Sequence, residues 1–204
     1  MFYETAHKKS HGLPHDPFKA IVAPRPIGWI SSMSTKGEIN LAPYSYFNGA
    51  STEPPIVMFS SEGYKDSVAF IEETKEFVCN VATFEMRQSM VETSGHYPRG
   101  VSEMERAGIA ASPSRLVKPP RVAAAPCALE CKLLNVVRLD DLAGRPLEQY
   151  VVFGQVVGVH IDDRFLKDGL LDTAAMMPIA RAGYRDYFVS TVDTKFSLKR
   201  PTVE

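Results

Sequence analysis

The residues best suited to chemistry sit in one short run, Ser60-Ser61-Glu62-Gly63-Tyr64-Lys65-Asp66-Ser67. A β-favouring apolar stretch, Ile56-Val57-Met58-Phe59, ends in two hydroxyls, and a glycine-containing turn follows. Lys65 and Ser67 then fall where an amphipathic helix opens. Helix N-termini present free N–H groups and a partial positive charge, so this turn reads as a dock for a phosphate monoester. The same residues also read as a plain turn and cap, with Asp66 as an N-cap that occupies some of those N–H groups.

Other chemistries lack their residues. The chain has no Gly-x-Ser-x-Gly elbow, no phosphate-binding loop ending in Gly-Lys-Ser/Thr, and no Gly-x-Gly-x-x-Gly after a strand. His-Glu-x-x-His and Cys-x-x-Cys spacings are also absent. His7, His11 and His15 recur every fourth residue, but Gly12 and Pro14 break the helix that would align them, so residues 1–17 read as a solvated arm. Cys127 and Cys131 share one face of an expected strand. An odd total of 3 cysteines points to reduced thiols, with these two as buried small hydrophobes.

The charge is balanced, 23 basic against 24 acidic residues, with no basic block to track a phosphate backbone, which argues against a nucleic-acid partner. No apolar run approaches the ~20 residues of a membrane helix and the N-terminus has no signal-peptide pattern, so the expectation is a soluble, cytoplasmic protein without a membrane partner. With 204 residues and 45% apolar content, residues 18–204 are expected to form one domain behind the arm.

The elements that must hold the turn are mostly strands. Ile27, Trp29 and Ser31 alternate with Gly28, Ile30 and Ser32, and Pro24 and Pro26 suit a strand entry. Thr35-Lys36-Gly37-Glu38 predicts a hairpin turn into a second strand through Ile39 and Leu41, interrupted at Pro43 before Tyr44. Ile56–Phe59 is the third strand. A helix capped by Asp66, a strand over Phe77–Val81, a helix over Glu85–Glu92 and a helical turn at Ser102–Arg106 follow. Residues 110–126, with Pro119-Pro120, read as a long surface connection, and Ala128–Leu139 with Gln149–Ile161 as a long hairpin. Five to seven strands with two or three short helices make a mainly β fold, most simply an antiparallel barrel with helical insertions.

Five blocks carry a resemblance: Pro24-Arg25-Pro26-Ile27-Gly28-Trp29-Ile30-Ser31-Ser32, Asn40-Leu41-Ala42-Pro43-Tyr44-Ser45-Tyr46-Phe47-Asn48, Pro54-Pro55, Lys65-Asp66-Ser67 and Glu76-Phe77-Val78-Cys79-Asn80. In this order they resemble the flavin reductase-like family, whose fold is the antiparallel FMN-binding split β-barrel. The resemblance implies noncovalent FMN, commonly at a homodimer interface, and NADH or NADPH as co-substrate. By position, Trp29, Ile30, Ser31, Ser32, Ala42, Pro43, Tyr44 and Ser45 would border the isoalloxazine and ribityl chain. Ser60, Ser61, Lys65 and Ser67 would hold the phosphate. Asn48 would contact the flavin or fix its own loop, and Trp29 would stack on the ring or serve as core. Hydride would pass from nicotinamide to flavin with the cofactor carrying the chemistry, which accounts for the missing catalytic dyad. The same resemblance covers an FMN-bound electron carrier of the flavoredoxin kind, serving an electron-accepting protein without direct NAD(P)H turnover. His160 would position flavin or nicotinamide or close a barrel end. Arg181, Tyr184 and Tyr187 resemble a segment near the site, while Tyr97, Arg99 and Arg106 would close over the flavin or meet a partner subunit.

Overall fold

The computed structural model describes residues 1–5 and 11–202; His7 lies outside the described residues. The core is one seven-stranded antiparallel sheet. In chain order its strands are β1 (Gly28–Met33), β2 (Ile39–Tyr44), β3 (Phe47–Thr52), β4 (Pro55–Glu62), β5 (Glu76–Val81), β6 (Cys127–Asp140) and β7 (Pro146–Ile161). Three helices interrupt them: α1 (Asp66–Thr74) between β4 and β5, then α2 (Arg87–Glu92) and α3 (Glu103–Arg106) between β5 and β6.

Across the sheet the order is β2-β1-β5-β6-β7-β4-β3, so β2 and β3 are its two edges. They are also consecutive in the chain, joined only by Ser45-Tyr46. A flat sheet of this width would hold its edges about 29 Å apart, whereas the link from residue 44 to residue 47 spans at most about 11 Å. The sheet must therefore curl until its edges meet. Ser60 N donates to Tyr46 O at 2.8 Å, and the Tyr44 and Phe59 rings stack across the seam at 4.6 Å.

Curling creates an inside and an outside. Inside, Ile30, Val57, Phe59, Phe77, Cys79, Cys131 and Val152 pack with Val68 and Ile71 of α1. Outside, Trp29 and Leu41 pack with Met90 of α2, Met104 of α3, Val122 and Ile179. β1 is thus buried on both faces despite its alternating pattern. Interior space is tight at β7: a Cβ on Gly154 would stand 2.3 Å from the ring of fully buried Phe77.

Several expectations need correcting. β2 runs unbroken through Pro43; it pairs only with β1, so a residue without an N–H is tolerated beside its open edge. β3 was not expected, because Asn48-Gly49-Ala50-Ser51-Thr52 is exposed and lacks apolar alternation. The N-cap position of α1 is Lys65, not Asp66, and α2 starts at Arg87 rather than Glu85. The hairpin at Thr35–Glu38 closes as expected, with Gly37 at φ +85°.

The 110–126 connection is held down along its length. Ala111–Ser112 pairs with Arg121–Val122, Val122 N donates to Asn80 Oδ1 at 2.9 Å, and Ser31 Oγ donates to Pro120 O. Its strongest anchor is Glu130 on β6, fully buried, which accepts from the amides of Arg115 (2.7 Å), Leu116 (2.6 Å) and Val117 (3.1 Å) and pairs with His160 Nε2. His160 therefore clasps a loop. Burial disfavours the Glu130 carboxylate, but the His160 hydrogen bond and the Arg115 and Leu116 amides outweigh it and lower its pKa. At the other end of the chain, Ile179–Arg181 lies between Arg25-Pro26 and Tyr187–Val189 in a small antiparallel sheet. No helix among the described residues is long and apolar enough to cross a membrane.

Two outcomes follow from this packing. Gly154→Ala should cost about 1–3 kcal/mol in urea unfolding, because Phe77 has no free volume into which to retreat. Glu130→Gln should destabilise by about 1–3 kcal/mol at neutral pH by leaving amide donors facing an amide. Since the folded carboxyl of Glu130 is depressed, its contribution is present above the unfolded value of about 4.3 and lost as pH falls through the lower folded one. The stability gap between wild type and Glu130→Gln should thus shrink as pH falls below the ordinary carboxylate range, read by denaturation at a series of acidic pH values.

Candidate functional site

At the mouth of the seam, where α1 begins, lies a cleft of about 270 Å³. One wall is Ala42, Pro43 and Tyr44 of β2, the floor is Lys65-Asp66-Ser67, and the far wall is the loop from Thr93 to Tyr97 with Arg99. The start of α1 is open, because no side chain caps it and its first backbone bond runs from Ala69 N to Lys65 O. The N–H groups of its first turn are thus left for another acceptor. Asp66 does not compete for them, since its carboxylate is taken by Arg99 at 2.8 Å.

The residues singled out in sequence separate into groups. Ala42, Pro43, Tyr44, Lys65 and Ser67 line the cleft together. Ser67 is buried, however, and its hydroxyl donates to Asn40 Oδ1 at 2.5 Å, so its proton is already committed. Ser61 is fully buried and donates to Gly63 O, while Ser60 Oγ accepts from Gln149 Nε2 at 2.6 Å; both brace the turn beside the cleft. Trp29, Ile30, Ser31 and Ser32 stand behind it with no exposed surface. The Trp29 indole donates to Thr93 Oγ1 at 2.9 Å, and β1 pairs with strands on both sides, so this strand carries the β2 wall and the 93–97 loop without facing the cleft. Ser45 and Asn48 line a separate groove on the other side of the seam, where Asn48 Oδ1 accepts from Gly49 N.

Sequence reasoning gave Thr93 and Ser94 no role and left Tyr97, Arg99 and Arg106 either closing over the flavin or meeting a partner subunit. The structure puts Tyr97 and Arg99 on the cleft wall, with Arg106 behind the Tyr97 ring at 5.1 Å. No motif marks the 93–97 loop, since it reaches the cleft only because Trp29 and Thr93 join across 64 residues. Arg181 and Tyr187 pair with each other at 4.4 Å on the small sheet, and Tyr184 packs on His15; none of them lines the cleft.

A buried polar chain supports the floor. Asn40 Nδ2 donates to Glu103 Oε1 (2.9 Å), Leu41 N donates to Glu103 Oε2 (3.0 Å), and Ser67 closes the chain onto Asn40. Burial pushes the Glu103 carboxyl up, against the opposing Leu41 and Asn40 hydrogen bonds. The Tyr44 phenol is likewise raised by burial, and its hydroxyl makes no hydrogen bond although the Ser61 and Ser67 hydroxyls are close enough to oppose that shift. Lys65 is exposed and makes no ion pair among the described residues. Lys65 and Arg99 face Asp66 and Glu103 in a cleft of nearly balanced formal charge, and the one cation free of an acidic partner stands at the open helix end.

Known proteins share this arrangement of chain. A relative from Aquifex aeolicus, described only as an uncharacterized protein, is 36% identical over 173 residues, which is 82% of this chain and 85% of its own length. Nitrilotriacetate monooxygenase component B from Bacillus cereus superposes with a TM-score of 0.88 at 24% identity, covering 97% of this chain and 98% of that one. Flavoredoxin of Desulfovibrio vulgaris (Miyazaki F) superposes at 0.75 and 18% identity, covering 87% and 91%. The family described as "Flavin reductase like domain" matches residues 22–179, a span that runs from the entry of β1 to the small sheet at Ile179. The curled sheet is a split barrel, and the chain belongs to the flavin reductase like family.

Proposed function

We propose that the cleft at α1 holds FMN noncovalently and that the protein is an NAD(P)H-dependent flavin reductase. The observation that carries the reading is the open, side-chain-uncapped start of α1, with Lys65, in no ion pair among the described residues, at its N-cap position and the β2 wall of Ala42-Pro43-Tyr44 beside it. The amides of the first turn and the Lys65 ammonium supply the donors and positive charge that a phosphate monoester requires. Arg99, tethered by Asp66, adds a second cation whose position is set before any ligand arrives. Proline and alanine on β2 form an apolar wall that excludes water from a flat ring, and the Ser67–Asn40–Glu103 chain keeps floor and wall in register. When bound, the flavin would supply the hydride chemistry, accepting from the nicotinamide.

The same proposal includes a homodimer. On the outer face of the sheet, Val137, Val151 and Phe153 form an apolar strip on paired strands, half-buried to exposed among the described residues. A second copy is the partner whose matching strip would cover it.

Three measurements test this. Purified protein mixed with FMN should show a bound-flavin absorbance spectrum, and Lys65→Ala should weaken FMN about 10–100-fold while leaving riboflavin, which lacks the phosphate, unchanged. Equal loss for both ligands would move the phosphate elsewhere. Anaerobic mixing with NADH or NADPH should bleach the bound flavin; a spectrum that persists with both would leave an electron carrier in place of a reductase. Light scattering should give twice the chain mass, falling to the single-chain mass in Val151→Lys.

A further inference from the structure

Arg25, Glu103 and Glu130 are the charged side chains buried among the described residues. Burying a charge is costly unless a counter-charge or a pKa shift relieves it. Glu130 has His160 and three amides, and Glu103 has its raised carboxyl. Arg25 has neither. A guanidinium keeps its proton at any ordinary pH, and Arg25, only 6% exposed, makes no ion pair among the described residues.

Its known partners are neutral. Nη1 donates to the carbonyls of Lys19 and Val22, and Nη2 to Ala182 O at 3.1 Å. Nε reaches Ser45 Oγ only at 3.5 Å, and Nη2 donates only to Ala182 O among the described residues, which leaves its second N–H without an acceptor there. The carbonyls explain how Arg25 ties the short helix Phe18–Ile21 to the small sheet, but they leave its net charge in place. That charge lies against a groove of about 400 Å³, across the seam from the phosphate cleft, where the guanidinium carbon stands 5.6 Å from the centre of the Tyr46 ring. Val22, Pro24, Tyr46, Phe47 and Met58 make the groove walls flat and apolar, and Asn48 stands exposed at its rim.

We propose that this groove binds a small organic carboxylate with a flat apolar body, its carboxylate paired with the Arg25 guanidinium. The weakly engaged Nε–H and the free Nη2–H are donors on a planar fork, and a carboxylate is the anion that matches such a fork in two parallel hydrogen bonds. The apolar walls favour an unsaturated or aromatic body over a sugar or a free phosphate, which would forfeit hydration against proline and methionine. The Asn48 amide adds one polar contact at the mouth.

The probe is benzoate, with neutral, isosteric benzamide as its control, titrated calorimetrically into flavin-free protein so that the outcome is separate from that of the flavin reading. Benzoate should bind saturably, one per chain, with benzamide weaker by about tenfold or more, since it forfeits a charge-assisted pair. Arg25→Met should abolish benzoate binding. Because Arg25 also ties backbone segments, Asn48→Trp is the second variant: it fills the mouth from an exposed position and should remove benzoate binding while the circular dichroism spectrum is retained. Benzamide binding as tightly as benzoate, no saturable benzoate heat, or undiminished binding in Asn48→Trp would each overturn the assignment.

Discussion

The fold depends on a short tether. Ser45-Tyr46 joins the two outermost strands of a seven-stranded sheet, and a two-residue link cannot bridge that sheet unless it curls. Once it curls, one face of each strand becomes interior and is filled by Phe59, Phe77, Val152 and the apolar side of α1. The same closure brings the end of β4, the start of α1 and the β2 wall to one place, which is why a cleft forms there. The seam leaves a groove on its other side as well, so one topological constraint produces both concavities that the reading of this protein rests on.

Buried charge is the second organising feature. Glu130 holds the 110–126 connection to β6 by collecting three amides and a histidine, and Glu103 holds the cleft floor to α3 through Asn40 and Leu41. In each case a carboxylate does what a short helix or a few residues of loop cannot do alone: it satisfies backbone donors that the connection would otherwise leave unpaired. Arg25 performs the complementary task on carbonyls at the opposite side of the seam, with no acidic side chain paired to it among the described residues.

Much of the architecture was legible from local pattern. Period-two alternation at Ile27–Ser32, the glycine at position 37, the long runs flanking residues 140–146 and the Val68/Ile71 stripe each report a local preference, and each appears as the expected element. β3 was not legible because it is an exposed edge strand whose side chains carry no burial signal; pairing with β4 makes it a strand. Pro43 misled for a related reason, since only the sheet order reveals that it lies on an edge.

The candidate site divides along the same line. By itself the sequence marked the turn as a candidate anion dock, because a strand end, a glycine, a lysine and a helix start are local chemistry, and the order of its motif blocks pointed to the family. Tertiary structure alone decided which neighbours face the turn. It withdrew Trp29–Ser32 into the core, spent the Ser61 and Ser67 protons on internal acceptors, and delivered Arg99 and the 93–97 loop to the cleft. The physical reason is that a side chain's availability depends on what lies opposite it across the sheet and the seam, and those partners are dozens of residues away in the chain.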